Sequence, residues 1–258
     1  MQENNRKFDK NGRTDAPRED VIYGRNPVSE AIRSGRAIDS VLVARGAKTG
    51  AIVGILAKAK ERNLRIKEVD PKKLDYMCAG GHHQGIAVLC AVCEYKELED
   101  IFALAEERGE APFVIVLDEL EDPHNLGAII RTAECAGAHG VIIPNRRSAG
   151  LSFTVGKSSA GAVEYVPVVR VPNIPSVLDT LKERGLWVYG ADMDGEDYRK
   201  CDMGGAIALV IGNEGKGIGR LVREKCDVIV SLPMKGKINS LNASVAAGIL
   251  MYRAADCR

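Results

Sequence analysis

Five continuous apolar runs constrain the fold of this 258-residue chain more than any other feature. A strand buried on both faces of a parallel sheet is apolar at nearly every position, whereas a half-exposed strand alternates. Between the runs, apolar residues recur at helical spacing, so strands and helices alternate. The pattern predicts an α/β domain over residues 113–258, with a parallel sheet and helices on both sides. The runs are Phe113–Leu117, Gly140–Ile143, Leu186–Gly190, Ala206–Ile211 and Val228–Leu232.

A smaller α/β unit is predicted ahead of this domain, over residues 21–94. Its strands are expected at Ser40–Ala44, Leu64–Val69 and Gly85–Val92. Residues 95–112 are rich in glutamate and hold one expected helix that ends near Gly109, so they are interpreted as a linker. Residues 1–20 are polar, lack the apolar centre of a secretory signal and are predicted to be a disordered lead.

Composition excludes several classes without choosing a function. The formal net charge is only +1, which by itself does not indicate a nucleic-acid partner. No run approaches the roughly 18 apolar residues of a membrane span, so no membrane is expected. The seven scattered cysteines favour free thiols in the cytoplasm. Cys90 and Cys93 have metal-ligand spacing, but they lie in an apolar run with no second pair, and no metal is predicted.

The first segment with candidate chemistry follows the run that ends at Leu117. Asp122 before Pro123 is typical of a helix start, with aspartate as the cap. Asn125 then lies in the first turn, where backbone N–H groups are free. Arg131 is one turn beyond small residues and can meet a phosphate or carboxylate bidentately. Taken alone, the segment is more typical of a well-capped surface helix than of a functional site.

The second segment, residues 212–219, holds four glycines after a buried strand. Such a loop is expected to press against a ligand or another backbone. A P-loop is excluded because that motif needs Gly-Lys-Ser/Thr after four intervening residues, and Gly217 is followed by Ile218 instead of lysine. A dinucleotide fingerprint is excluded because Arg220 stands where its last glycine belongs. Glu214 inside the loop suits a hydroxyl or a cation better than a pyrophosphate.

The third segment follows the last apolar run and leads into the final helix. Ser240 is predicted to cap that helix, and Leu241, Val245 and Ile249 are predicted to form its buried stripe. Asn242 falls in the first turn, where an exposed polar residue without a special role is the alternative.

Together, in this order, the three segments resemble the signature motifs of the SpoU/TrmH family of RNA 2′-O-ribose methyltransferases. The N-terminal unit resembles the ribosomal-protein-like RNA-binding domain of the RlmB-type branch, which methylates a guanosine of 23S ribosomal RNA. The motifs are Asn125-x5-Arg131, Gly212-Asn-Glu-Gly-x-Gly217 and Leu232-Pro-Met234 with Ser240-Leu-Asn-x-Ser-Val-Ala246; the N-terminal likeness is carried by residues 23–28 and 83–85.

The resemblance implies S-adenosylmethionine as donor, ribosomal RNA as substrate, a deep trefoil knot and a homodimer. It implies a catalytic set of Asn125, Arg131, Glu214, Ser240 and Asn242. It implies donor contacts from Gly212, Asn213, Gly215, Gly217, Leu232, Met234 and Leu241. RNA contacts are expected from Arg25, Arg146, Arg147 and Lys157.

The family assigns proton removal from the ribose hydroxyl to the arginine that matches Arg131. An arginine stays protonated at biological pH, so Arg131 is expected instead to bind phosphate or stabilise a developing alkoxide. Glu214 or water would then take the proton. Two alternatives stay open: a transfer-RNA ribose as substrate, and a noncatalytic RNA-binding or assembly factor of the same fold.

Overall fold

The computed structural model describes residues 20–48 and 50–258, which form two compact units that divide between Glu94 and Tyr95. The predicted disordered lead lies outside the described residues, except for Asp20. Asp20 is buried, and its carbonyl oxygen accepts a hydrogen bond of 2.8 Å from the backbone N–H of Cys90. The first folded unit therefore includes Asp20.

The first unit is the small α/β domain that the sequence predicts. Its elements are β1 Val21–Tyr23, α1 Arg25–Arg33, β2 Ile38–Ala44, α2 Ala51–Glu61, β3 Ile66–Val69, α3 Pro71–Met77 and β4 Ile86–Cys90. The strands form one mixed sheet in the order β1-β4-β2-β3, in which only β2 and β3 run parallel. Val28 and Ile32 of α1 pack with Ile52 of α2 against Val41 and Val88 of the sheet.

The second unit contains a six-stranded sheet in which every neighbouring pair of strands is parallel. The strand order is β10-β8-β9-β5-β6-β7. The elements are α4 Leu98–Arg108, β5 Phe113–Leu117, α5 Pro123–Cys135, β6 Gly140–Pro144, α6 Phe153–Ser158, β7 Val168–Val171, α7 Ile174–Glu183, β8 Trp187–Asp197, β9 Ile207–Ile211, α8 Arg220–Lys225, β10 Val228–Ser231 and α9 Ala243–Asp256.

The apolar strands β5, β6 and β9 are buried throughout, as predicted, whereas Trp187 of β8 is exposed and β10 is only partly buried. Every residue of β5 and β9 is buried. Val114 and Val116 of β5 pack with Ile101 of α4 and Leu178 of α7. The alternate residues of β5 point to the opposite face and are also fully buried. The sheet is therefore covered on both sides.

Three differences from the expectation concern the linker segment and two strands of the second unit. The segment interpreted as a linker contains α4, whose Ile101 is fully buried and fills the space that a side chain at Gly140 would need. This segment is thus part of the domain core. The short strand β7 was not expected, because its apolar run is interrupted by Arg170. Strand β8 continues to Asp197, well past the predicted end at Gly190.

The prediction for the last helix was wrong in two respects. Asn242, not Ser240, caps α9, because its side-chain oxygen accepts hydrogen bonds from the N–H groups of Ser244 and Val245. The predicted buried stripe is exposed: Leu241, Val245 and Ile249 have exposed fractions of 42%, 51% and 38%. The helical spacing was right, but it marks an apolar face that the described part of this chain leaves open.

Candidate active site

A cavity of about 340 Å³ opens at the carboxyl edge of the six-stranded sheet, beside the ends of β8, β9 and β10 and the start of α9. The carboxyl edge is where open parallel α/β sheets bind ligands. Most of the lining is backbone or apolar side chain, and its acidic members are Asp192 and Glu214. Predicted donor contacts in the lining are Gly212, Asn213, Gly215, Gly217, Leu232, Met234 and Leu241, and two of the predicted catalytic residues, Glu214 and Ser240, join them.

The glycine loop after β9 folds back on its own backbone. The N–H and carbonyl of Asn213 pair with those of Gly217 at 3.0 and 2.9 Å. A Cβ on Gly212 would stand 2.2 Å from the carbonyl carbon of Gly217, and Gly217 itself has φ +66°. Glycine at these two positions is therefore required by the loop's own fold. The sequence left open whether this loop presses against a ligand or against another backbone segment. The structure shows contact with backbone.

Polar contacts fasten both ends of this loop to the end of β5. The amide of Asn213 donates to the carbonyl oxygen of Glu119 at 3.0 Å, while its oxygen accepts from the N–H of Gly215. The carboxylate of Asp118 accepts a hydrogen bond of 2.7 Å from the N–H of Gly219, and burial raises the pKa of this carboxyl. Asn213 thus shapes the loop as well as lining the cavity.

Three predicted catalytic side chains from distant parts of the sequence form one hydrogen-bonded row. Asn125 lies in the first turn of α5, whose cap is Asp122. Its amide nitrogen donates to a carboxylate oxygen of Glu214 at 2.6 Å, and its oxygen accepts from the amide of Asn242 at 3.0 Å. Glu214 is exposed beyond this contact, whereas Asn125 is buried. A fixed row of amides therefore aims a carboxylate at the mouth of the cavity.

Arg131 is not among the residues that line the cavity. It is exposed on α5, and six residues after Asn125 it lies about a third of a turn away around the helix. The chain brings together Asn125, Glu214 and Asn242, with Ser240 in the lining of the adjoining cavity, but it does not add Arg131 to the same lining.

One part of the cavity wall was missed by the sequence motifs. Asp192 and Met193 line the cavity from the far end of β8. Asp192 is joined at 2.5 Å to Arg223 of α8. The available signal was the acidic, glycine-flanked stretch that follows the apolar run ending at Gly190.

Two of the predicted RNA-binding residues, Arg146 and Arg147, line a second cleft of about 710 Å³ at the same edge of the sheet. Lys216 and Arg220 line it as well, so four cations face this cleft. Glu119 of the same lining pairs with Arg147 at 3.1 Å.

The other two predicted RNA-binding residues are elsewhere. The ammonium of Lys157 lies 5.0 Å above the ring of Phe153 on α6. Arg25 begins α1 of the first unit and is exposed.

Within residues 20–48 and 50–258, no cluster of side chains could hold a metal ion, and no helix is long and apolar enough to cross a membrane.

Comparison with known proteins gives consistent matches. The SpoU rRNA Methylase family model matches residues 112–252, and the model for RNA 2′-O ribose methyltransferase substrate binding matches residues 21–96. YacO of Bacillus subtilis (strain 168), named for the TrmH family of tRNA/rRNA methyltransferases, is 50% identical over 234 residues, which cover 90% of this chain and 94% of that protein. A Staphylococcus aureus (strain MSSA476) protein named for the same family is 46% identical over 233 residues, covering 90% and 94%.

Solved structures give the same result. The SpoU methyltransferase AviRb from Streptomyces viridochromogenes, crystallised with AdoMet, superposes with a TM-score of 0.58 at 27% identity, covering 92% of this chain and 89% of that one. An AdoMet-bound rRNA methyltransferase from Sinorhizobium meliloti has a TM-score of 0.58 at 26% identity, covering 92% and 86%. By sequence and by fold, this chain belongs to the SpoU rRNA methylase family.

Proposed function

We propose that this protein transfers a methyl group from S-adenosylmethionine to a ribose 2′-hydroxyl of RNA, and that its substrate is a guanosine of 23S ribosomal RNA. The observation that carries the proposal is the row Asn242–Asn125–Glu214 at the mouth of the cavity. It presents a carboxylate that can accept a proton beside a space for a donor. The RNA substrate class is also supported by the family models and by the names of the relatives.

The cavity suits the donor in shape and chemistry. Backbone at Gly212 and Gly217 carries no side chain into it, and the side chains of Leu232, Met234 and Leu241 offer apolar surface to a purine. These residues would hold the nucleoside. S-adenosylmethionine supplies a methyl group on a sulfonium cation, which is already activated for transfer.

The protein's own part is to orient the ribose hydroxyl and to remove its proton. A hydroxyl is a weak nucleophile at neutral pH, so a base within hydrogen-bond reach accelerates the reaction. Glu214 is the base in this proposal, and the Asn125 amide fixes one of its oxygens so that the other faces the hydroxyl. Asn242 caps α9 and holds the Asn125 amide, and Ser240, in the lining of the cavity, helps to orient the hydroxyl. Arg131, as a permanent cation, binds RNA phosphate or stabilises developing negative charge on oxygen.

RNA binding is assigned to the cleft with Arg146 and Arg147, with further contacts from Lys157 and from Arg25 of the first unit. Phosphate contacts of this kind give affinity without sequence information. The choice of a guanosine therefore has to come from other contacts.

The homodimer is assigned to the exposed apolar face of α9, where Val245 and Ile249 adjoin Tyr252, itself 50% exposed. An open apolar face of this kind is typical of a protein–protein contact. The trefoil knot stays a prediction of the family resemblance.

The test is methylation of unmodified 23S ribosomal RNA by purified protein with labelled S-adenosylmethionine, followed by mapping of ribose methylation. A labelled guanosine 2′-oxygen is expected. Label in transfer RNA alone would favour the first alternative, a transfer-RNA ribose as the substrate. Absence of label in both RNAs, with RNA binding intact, would favour the noncatalytic factor.

The variant Asn125→Ala tests the row itself. Glu214 then loses its fixed partner, so kcat is expected to fall by about 100-fold, in the range seen when one positioned hydrogen-bond donor is removed from an active site. Affinity for S-adenosylhomocysteine is expected to stay unchanged, as measured by calorimetry. A normal kcat in this variant would mean that Asn125 has only a structural role in the first turn of α5.

A further inference from the structure

Strand β8 carries a five-residue bulge beside the donor cavity. Gly190 pairs with Ile229 of β10, but the next β10 residue, Val230, pairs with Glu196. Residues 191–195, here called the β8 bulge, therefore have no partner on β10. Bulges beside active sites re-aim side chains, and this one carries Asp192 and Met193 into the cavity wall.

Two contacts hold the β8 bulge in place. At its end, a Cβ on Gly195 would stand 2.6 Å from the carbonyl group of Ile229, so only glycine permits this approach to β10. At its centre, the guanidinium of Arg223 bridges the carboxylates of Asp192 and Asp194 at 2.5 and 3.0 Å. An arginine shared between two carboxylates in this way fixes the orientation of both.

The two bridged carboxylates face different surroundings. The Asp194 side chain is 71% exposed and does not line the cavity, whereas the Asp192 side chain is 23% exposed and does. One oxygen of Asp192 lies 3.8 Å from the point where a Cβ on Gly217 would stand. The bare backbone of the glycine loop therefore leaves open space in front of this carboxylate.

The charge of Asp192 is partly balanced, because Arg223 is shared with Asp194. One oxygen contacts Arg223, and the other accepts a hydrogen bond of 2.8 Å from the N–H of Met193. Each carboxylate oxygen has capacity for a second hydrogen bond. Because Arg223 already offsets part of its charge and acceptor capacity remains on both oxygens, this carboxylate can accept hydrogen bonds from neutral hydroxyl donors.

We propose that Asp192 accepts hydrogen bonds from the vicinal hydroxyls of the ribose in the methyl donor, and so sets the position of the nucleoside in the cavity. This assignment rests on the proposed function. Arg223 acts as a positioning residue that holds the Asp192 carboxylate toward the cavity.

Calorimetric titration of three ligands tests the assignment. S-adenosylhomocysteine has both ribose and amino acid, 5′-methylthioadenosine has the ribose alone, and 2′-deoxy-5′-methylthioadenosine lacks one hydroxyl. Asp192→Ala is expected to weaken the first two ligands equally, by about 10- to 100-fold, the range for a hydrogen bond to a charged group. The wild-type protein is expected to discriminate against the deoxy ligand, and the variant is expected not to.

Asp194→Ala is the matched control. It removes the other partner of Arg223 and the same charge, yet it should leave all three affinities within about twofold, because Asp194 does not line the cavity. If Asp192→Ala has a lowered melting temperature, Asp192→Asn, which keeps the side-chain volume, takes its place in the same titrations. It is expected to reduce the discrimination between ribose and deoxyribose, because a neutral amide oxygen accepts a hydrogen bond from a hydroxyl less strongly than a carboxylate does.

Two outcomes would overturn the assignment while leaving the proposed function intact. One is wild-type affinity for S-adenosylhomocysteine in Asp192→Ala. The other is a loss confined to S-adenosylhomocysteine, which would place the amino group of the ligand at Asp192. If the wild-type protein binds none of the three ligands, the proposed function itself fails, and this assignment fails with it.

Discussion

The two edges of the six-stranded sheet are built on different principles. At the carboxyl edge, the backbone turns back on itself at Gly212, and two cavities remain open. At the amino edge, His139 is fully buried with both ring nitrogens engaged, one by the N–H of Phe113 at 2.9 Å and one by Glu110 at 3.1 Å. Arg258 closes the same edge by donating to the carbonyl oxygens of Ala111 and Gly205.

This difference separates function from stability within one sheet. Polar groups at the amino edge satisfy one another, so they contribute to folding and leave nothing to bind a ligand. At the carboxyl edge, close-packed glycine backbone and outward-facing cations leave groups available to a ligand. Substitutions at the two edges should therefore change different measurements.

The largest expected effect is at Gly212. In Gly212→Ala the new methyl group meets Gly217 backbone at 2.2 Å, and backbone cannot rotate away as a side chain can. Overpacking of this kind costs about 1–3 kcal/mol, so affinity for S-adenosylhomocysteine should fall by up to about 100-fold.

Gly236→Ala in the neighbouring loop is the control for Gly212→Ala, since its Cβ would approach nothing closer than 4.0 Å. Calorimetry on both variants decides the prediction. Equal affinities would show that the loop fold is not what shapes the cavity.

A smaller effect is expected at the second cleft. Reversing two cations in Arg146→Glu/Arg147→Glu should weaken RNA binding by about tenfold or more. It should also make the plot of log affinity against log salt shallower by roughly two units, one for each lost phosphate contact. Affinity for S-adenosylhomocysteine should not change.

Filter binding over a series of salt concentrations measures this effect. Arg108→Glu, at the end of α4, serves as the single-charge control outside the cleft. If the salt dependence in the double variant is as steep as in the wild type, RNA does not bind in this cleft.

The smallest effect is expected at the amino edge and depends on pH. Burial, with a contribution from Arg258, lowers the pKa of His139 below its ordinary 6.5. The unfolded state therefore binds more protons than the folded state between the two pKa values. Stability from the neutral ring is fully present above about pH 6.5 and is lost as the pH falls toward the folded-state value, with a slope of at most about 1.4 kcal/mol per pH unit.

Urea unfolding of wild type and His139→Gln at several pH values isolates this contribution. The difference in unfolding free energy between the two proteins should shrink as the pH falls from 7.5 to 5.5, while affinity for S-adenosylhomocysteine at pH 7.5 stays equal. A difference that does not vary with pH would mean that folding does not shift the pKa of His139, and a difference that grows as the pH falls would mean that the folded state favours the charged ring.

Sequence alone predicted which residues meet at the carboxyl edge of the sheet better than it predicted where the strands end and which helix faces are covered. The family resemblance grouped Asn125 and Glu214 in one catalytic set, and the structure brings their side chains within 2.6 Å of each other. The β8 bulge was not predictable from the apolar run that ends at Gly190, because register against β10 depends on a strand almost 40 residues later. The stripe containing Val245 was misassigned as buried, because periodicity shows which residues share a face but not what covers that face.

The loop between Asn213 and Gly217 is a common wall, since both residues and Lys216 line the proposed donor cavity on one side and the second cleft on the other. Occupants of the two spaces therefore cannot be energetically independent if either one displaces the wall. Thermodynamic linkage then requires reciprocity: the factor by which the donor alters the affinity for RNA equals the factor by which RNA alters the affinity for the donor.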